Sequence, residues 1–290
     1  MAAPGMHAPD AESTVVGVIG SPIRQSLSPL LHNAAFAALG LNWVSLAFDV
    51  APGQAKSALV GMQALGLAGL SVTMPLKAEV AALVDRCTDV ATRLEAVNCI
   101  VNQGGTLEGT NTDGQGFLAS LERAAGFDPA GKRCLVIGAG GAARAVTDAL
   151  AVAGASDVAV VNRTPARAEA VAALAGAAGR AVAVADTAQV AQADLVVNAT
   201  PIGMAGVAGG SSGGSESWLV APSLVHVGQV VIDLVYAPRP TPWLAAAAAA
   251  GATAVDGLGM LVHQAAAQLE LWTGFPAPVD VMWQAATAQS

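Results

Sequence analysis

The stretch Cys134-Leu135-Val136-Ile137-Gly138-Ala139-Gly140-Gly141-Ala142-Ala143 is an apolar run, then a glycine cluster, then the start of an Ala/Val/Leu-rich segment that continues to about residue 153. A buried strand, a tight turn and a helix account for that order of residue types. Gly138 permits the turn, Gly140 lets backbone come close to a pyrophosphate, and Ala143 keeps the helix near the strand, so that the helix N-terminus faces an anion. The segment reads as the opening of a dinucleotide-binding fold.

The next apolar run ends in Asn162-Arg163-Thr164, near where an NAD-binding fold carries an acid for the ribose 2′-hydroxyl. No acid stands there. Arg163 and Arg167 lie four apart across a helix start, so both guanidinium groups can reach one anion. A 2′-phosphate fits, and NADP is expected rather than NAD.

Outward from this motif, short apolar runs alternate with helical stretches, the pattern of an α/β protein with parallel sheets covered by helices. Strands are expected at Val15 to Ile19, Trp43 to Phe48 and Leu70 to Val72, with helices near residues 29–39 and 53–65. The alternation restarts at about Lys132, with strands near 133–137, 157–161, 194–198 and 229–233, so a second domain begins about there. Ser28-Pro29, Thr164-Pro165 and Thr241-Pro242 each place a hydroxyl at an N-cap and proline at the first helical position, and Gly40 and Gly251 stand where C-caps belong. The Gly/Ser-rich residues 205–217 read as a mobile surface loop, and residues 1–12 as a disordered tail.

The 290 residues suffice for two domains. Alanine makes up much of the 54% apolar fraction, and no apolar run reaches the roughly 18 residues of a spanning helix, so a soluble protein with no membrane partner is expected. Three cysteines without CxxC spacing suggest neither a disulfide framework nor a zinc site, which fits a reducing cytoplasm. A net charge of −8 disfavours nucleic acid as a partner, so any basic site must be local.

Three polar segments remain: Ser26-Leu27-Ser28-Pro29, Ser71-Val72-Thr73-Met74-Pro75-Leu76-Lys77 and Asn111-Thr112-Asp113-Gly114. Helix capping by Ser28, Thr73 and Asp113 is the plain reading of each. Lys77 resists it, because a cation in the first turn of a helix faces the positive end of the macrodipole, at a cost of roughly 0.3–1 kcal/mol. That placement suits proton transfer.

With these segments the chain resembles the shikimate dehydrogenase family over almost its whole length. The matching runs are Gly20 to Ile23 with Ser26 to Pro29 and His32-Asn33, Val72 to Lys77, Ala96-Val97-Asn98, Asn111 to Asp113, Gly138 to Ala143, Asn162 to Thr164, Asn198 to Pro201, Asp233 to Tyr236, and Asp256 to Met260 through Gln264. The resemblance implies that Ser26 and Ser28 hold the substrate carboxylate, that Ser71 stands where many relatives use asparagine, and that Thr73, Lys77, Asn98, Asp113 and Gln264 engage the ring hydroxyls while Tyr236 closes the site. Lys77 and Asp113 are the implied catalytic pair, Lys77 relaying a proton as hydride passes between nicotinamide C4 and substrate C3; a cation there also stabilises the alkoxide-like oxygen. For NADP the implied residues are Gly138, Ala139, Gly140, Gly141, Ala142, Asn162, Arg163, Thr164, Arg167, Thr200, Leu234 and Gly257, with no metal.

Because Gln264 belongs with residues of the first third, the substrate domain is expected to be discontinuous. Residues 1–113 plus 258–290 would bind substrate, and residues 114–257 would form a Rossmann-type NADP domain, with a cleft between the two. The implied reaction is reversible reduction of 3-dehydroshikimate to shikimate, by a monomer or homodimer. Quinate or quinate/shikimate dehydrogenation is the alternative, opposed by the paired serines and the arginines, and a non-catalytic NADP-binding paralogue is opposed by the presence of both Lys77 and Asp113. Ser71, Glu95 and Cys99 depart from the common asparagine, glycine and threonine, so ring recognition can differ in detail; a water could complete the contact of the shorter serine.

Overall fold

The computed structural model describes residues 8–184, 187–204 and 218–288. The expected loop at 205–217 lies outside them, as do residues 1–7 of the expected tail. From Asp10 the tail is anchored, contrary to expectation: Asp10 Oδ1 accepts from Asn42 Nδ2 and from the Glu12 amide, each at 3.0 Å. A carboxylate with two donors closes a local turn that composition alone does not reveal.

In chain order the elements are β1 (Thr14–Gly20), α1 (Ser28–Leu39), β2 (Trp43–Asp49), α2 (Ala55–Ala64), β3 (Gly69–Val72), α3 (Lys77–Ala81), β4 (Arg86–Cys87), α4 (Asp89–Leu94), β5 (Cys99–Gln103), β6 (Thr106–Thr110) and α5 (Asp113–Ala125). Then follow β7 (Arg133–Ile137), α6 (Gly141–Val152), β8 (Asp157–Val161), α7 (Pro165–Ala172), β9 (Gly179–Val182), α8 (Thr187–Gln192), β10 (Leu195–Asn198), β11 (Val230–Asp233), α9 (Pro242–Ala249), β12 (Thr253–Asp256), α10 (Leu258–Thr273) and α11 (Val279–Thr287). The chain forms two compact units, Met1–Gly116 with Leu261–Ser290, and Phe117–Met260. It changes unit one turn inside α5 and again one turn inside α10.

The sheet of the first unit has the order β2-β1-β3-β5-β6-β4. β1 pairs in parallel with β2 and β3, but β5 runs antiparallel to both β3 and β6, so the expectation of purely parallel sheets is corrected. The antiparallel β5–β6 pair follows from the Gly104-Gly105 turn, whose positive φ values of 62° and 97° give the geometry of a two-residue hairpin. On this sheet Gly69 leaves space for the Trp272 ring of α10, and Trp272 Nε1 donates to the Ile100 carbonyl at 3.0 Å. His32 packs edge-on against Trp272, ring centroids 4.9 Å apart, and its Nδ1 meets Ser45 Oγ at 3.1 Å.

The second unit has a wholly parallel sheet, β12-β11-β10-β7-β8-β9. Counted within the unit this is the doubly wound order 3-2-1-4-5-6, and the order reverses between β7 and β10. Alternate residues of β7 enter different cores: Val136 joins Val146 and Leu150, whereas Leu135 and Ile137 join Val231 and Trp243. A strand covered on both faces needs the continuous apolar run seen at 134–137.

The helix ends follow the sequence only in part. Thr241 Oγ1 caps α9 by accepting from Leu244 N at 3.2 Å, and Gly40 ends α1 in the left-handed region with φ 66°. Gly251 follows the end of α9 with φ 92°. Ser28, by contrast, is the first residue of α1 and makes no cap bond; Ser26 Oγ instead accepts from the Ser28 amide at 3.3 Å. Thr164 stands at the N-cap of α7 without a cap bond. Among the described residues no helix is long and apolar enough to cross a membrane.

Burial of His32 depresses its pKa from 6.5 to about 3. Its neutral ring therefore contributes stability that is present above pH 6.5 and is lost as the pH falls towards 3, at up to about 1.4 kcal/mol per pH unit. Urea unfolding between pH 4 and 6 should give a slope shallower by about that amount in His32→Asn; equal slopes would show that His32 is not the titrating group.

Candidate active site

The candidate residues fall into two sets, one in each unit. In the first, Lys77 opens α3 and Asp113 opens α5, and Lys77 Nζ donates to Asp113 Oδ2 in an ion pair whose carboxylate is almost fully buried. Neither end of the pair arises from capping. Thr73 makes no side-chain cap for α3, whose N-cap position is Leu76, and Asp113 spends both oxygens on side chains, so both capping expectations are corrected. The turn before α5 is closed by Asn111, whose Oδ1 accepts from the Asp113 amide at 3.0 Å. An acid as first helical residue is favoured by the dipole, and it also compensates the disfavoured cation that opens α3.

Asn98 carries the arrangement further. Its Oδ1 accepts from the Thr112 amide at 2.8 Å, and its Nδ2 donates to Asp113 Oδ1 at 2.8 Å and approaches Gln264 Oε1 at 3.4 Å. Gln264 arrives from α10 because α5 has no side chain at Gly116: a Cβ there would lie 2.6 Å from the Gln264 amide nitrogen. Thr112 Oγ1 then donates to the Gln264 carbonyl at 3.1 Å. Lys77, Asn98, Asp113 and Gln264 thus form one hydrogen-bonded group, joined by Thr112 and Gln268, which sequence reasoning missed. Gln268 was legible as a second amide one helical turn beyond Gln264.

The remaining implied substrate residues of this unit lie outside that group. Ser26 and Ser28 flank the start of α1, Ser71 is buried in β3 opposite Cys99, and Thr73 follows β3, where its amide donates to the Ile19 carbonyl at 2.9 Å. Ser26, Ser28 and Thr73 follow the carboxyl ends of the parallel strands β1 and β3, the edge at which open α/β sheets present ligand groups.

The second set surrounds a cavity of about 730 Å³ lined by Gly138, Ala139, Gly140, Asn162, Arg163 and Arg167, and on another side by Ala199, Thr200 and Pro201. It opens where the strand order reverses. Gly138 has φ +113°, and a Cβ there would lie 3.0 Å from Thr200 Cγ2, while one on Gly140 would meet only open space. Gly141 and Ala142 form the first turn of α6, with its free amides, and Ala143 is fully buried. Arg163 and Arg167 are both exposed on the cavity, and Asn162 Nδ2 donates to the Thr164 carbonyl at 3.1 Å. Val184, Ile202, Trp218 and Leu219 complete the lining with an apolar wall that no sequence motif marked.

Behind Thr200 is a buried polar row. Thr200 Oγ1 donates to Asn198 Oδ1 at 2.7 Å, Asn198 Nδ2 to Asp233 Oδ1 at 3.0 Å, and Thr241 Oγ1 to Asp233 Oδ2 at 2.5 Å. Burial raises the Asp233 pKa to about 6, although the bonds from Thr241, Val235 and Asn198 favour the carboxylate. Burial also raises the pKa of Tyr236. Gly257 packs its backbone directly on the Leu234 carbonyl, where any side chain would collide.

Family models described as the shikimate dehydrogenase substrate binding domain, shikimate/quinate 5-dehydrogenase and the shikimate 5'-dehydrogenase C-terminal domain match residues 18–100, 121–204 and 257–287 respectively. The chain is 49% identical over 279 residues to shikimate dehydrogenase (NADP(+)) of Moorella thermoacetica, covering 94% of this chain and 92% of that protein. The Thermus thermophilus shikimate 5-dehydrogenase in complex with NADP(H) and shikimate superposes with a TM-score of 0.85 at 35% identity, covering 96% of this chain and all of that one. A shikimate dehydrogenase solved in complex with NADP+ gives a TM-score of 0.89 at 35% identity over 99% of both chains.

The close approach of α5 to α10 gives a test whose sign is informative. Gly→Ala inside an exposed helix ordinarily stabilises by about 1 kcal/mol. Gly116→Ala should instead destabilise by about 1–3 kcal/mol, because the obstacle is Gln264 backbone and cannot rotate away. A stability gain in urea titration would show that the helices are free to separate.

Proposed function

Because the chain belongs to the shikimate dehydrogenase family, we propose that it reversibly reduces 3-dehydroshikimate to shikimate with NADPH. The observation that carries the reading is the Lys77–Asp113 pair, a cation held at a helix start by a buried carboxylate that Asn98 orients. The ring binds on residues 1–113 and 258–290, with Ser26 and Ser28 on its carboxylate and Ser71, Thr73, Lys77, Asn98, Asp113, Tyr236 and Gln264 about its hydroxyls. Residues 114–257 bind NADP, apart from Tyr236, which belongs to the ring.

The cavity fits a dinucleotide on its own chemistry. The Gly138–Gly140 turn and the free amides of α6 suit a pyrophosphate, and two exposed arginines on one wall suit the 2′-phosphate that distinguishes NADP from NAD. Ala139, Gly141, Ala142, Asn162, Thr164 and Thr200 complete that surface, with Leu234 and Gly257 presenting backbone to the nicotinamide end. NADPH supplies the hydride when bound. Lys77 Nζ gives a proton to the carbonyl oxygen of the ring and takes one from the hydroxyl in the reverse direction. Asp113 fixes the direction of the ammonium and keeps its charge compensated in a half-buried place. The free thiols of Cys87, Cys99 and Cys134 suit a reducing compartment such as the cytoplasm.

Lys77→Ala should lower turnover by about 10²–10⁴-fold while NADP affinity changes little, measured by initial rates and by titration of the cofactor. Near-normal turnover would overturn the role of the pair. Arg163→Ala combined with Arg167→Ala should raise the KM for NADP far more than that for NAD. Assay of shikimate and quinate against both cofactors tests the whole reading, which faster oxidation of quinate with NAD would exclude.

A further inference from the structure

We propose that Gln268 is a positioning residue that sets the hydrogen-bonding polarity of the substrate site, so that Gln264 meets the ring as a donor. The inference rests on the reading of Gln264 as a substrate residue. The ends of a side-chain amide are distinguished by their partners, and here the partners trace back to two backbone groups of fixed polarity. The Asn98 carbonyl can only accept, so Gln268 turns Nε2 towards it at 3.1 Å. The same nitrogen donates to Gln264 at 2.8 Å, so the Gln264 atom facing it is Oε1. Gln264 Nε2 is thereby left on the other side, where one hydrogen goes to the Leu261 carbonyl at 2.9 Å and the second stays available to a ligand. The other anchor is the Thr112 amide, which can only donate. It fixes Asn98 Oδ1, turns Asn98 Nδ2 to Asp113, and leaves Asp113 an acceptor at both oxygens.

Gln268 is fully buried, and its Oε1 has no hydrogen-bond partner among the described residues. An unpartnered buried acceptor opposes stability, and an apolar side chain of the same volume would avoid it. The orientation of Gln264 accounts for an amide at this place. A ring oxygen that offers a lone pair is accepted by the site, and a group that only donates at that place is rejected.

The test compares Gln268→Met, Gln264→Met and the double variant. Gln268→Met should raise the KM for shikimate about tenfold, the size of one hydrogen bond, with the KM for NADP within twofold and kcat falling less than KM rises. The double variant should be no worse than Gln264→Met alone, because Gln268 acts through Gln264. Additive losses, or a KM for shikimate within twofold of wild type, would overturn the proposal. A second measurement does not depend on turnover. In protein labelled with 15N-glutamine, the Gln264 side-chain amide, assigned by its loss in Gln264→Met, should show the hydrogen bonded to the Leu261 carbonyl exchanging more slowly with solvent than its geminal partner; equally fast exchange of both overturns the proposal. Wild-type protein inactive on shikimate but with a protected Gln264 amide would defeat the functional reading and leave the polarity standing.

Discussion

Helices α5 and α10 touch at Gly116 with no side chain between them, and the first unit's site depends on that contact. Close approach lets Thr112 reach the Gln264 carbonyl and brings Gln264 and Gln268 against Asn98, joining segments more than 150 residues apart in the chain. A methyl group inserted there would displace backbone, the element of the contact least able to adjust. The polar group around Lys77 is therefore held by the packing of two helices as well as by its own hydrogen bonds.

In an acidic chain, each unit places its cations against a local demand. Lys77 is half-buried at a helix start, where both desolvation and the dipole oppose its charge, and Asp113 offsets both. Arg163 and Arg167 stay exposed on the cavity of the second unit, where solvent screens their charge. Asp233 shows the reverse situation: a carboxylate buried without a cation among the described residues, kept in place by three donors and tying Asn198, behind Thr200, to the cap of α9.

The repetitive parts of the fold were legible because burial on both faces of a parallel strand requires an unbroken apolar run, and helices between such runs require an amphipathic one. Strands β1, β3, β7, β8, β10 and β11 follow from that rule, whereas β2 was legible from its apolar residues although it lies at the sheet edge with its second half exposed. Strands β5 and β6 did not, although Gly104-Gly105 between Gln103 and Thr106 is a hairpin signal in its own right. The hydroxyl-proline pairs located helix starts correctly, but only Thr241 makes a side-chain cap. Thr164 is at the expected N-cap without the expected bond, and Ser28 lies one residue inside its helix, since proline fixes the first turn whether or not the hydroxyl is used.

The sequence by itself determined the α/β class, the glycine turn, the arginine pair and Lys77 as a residue that capping does not explain, whereas Asn98, Asp113 and Gln264 were singled out by the family resemblance. These features are local: the periodicity, φ preference or helix position of a residue depends on its immediate neighbours. Only the tertiary structure decided that Thr112 and Gln268 complete the group, that Trp218 and Ile202 wall the cavity, and which end of each amide faces its partner. Hydrogen-bond polarity is settled by atoms distant in sequence, here the Asn98 carbonyl and the Thr112 amide, and linear spacing carries no information about which atoms those will be.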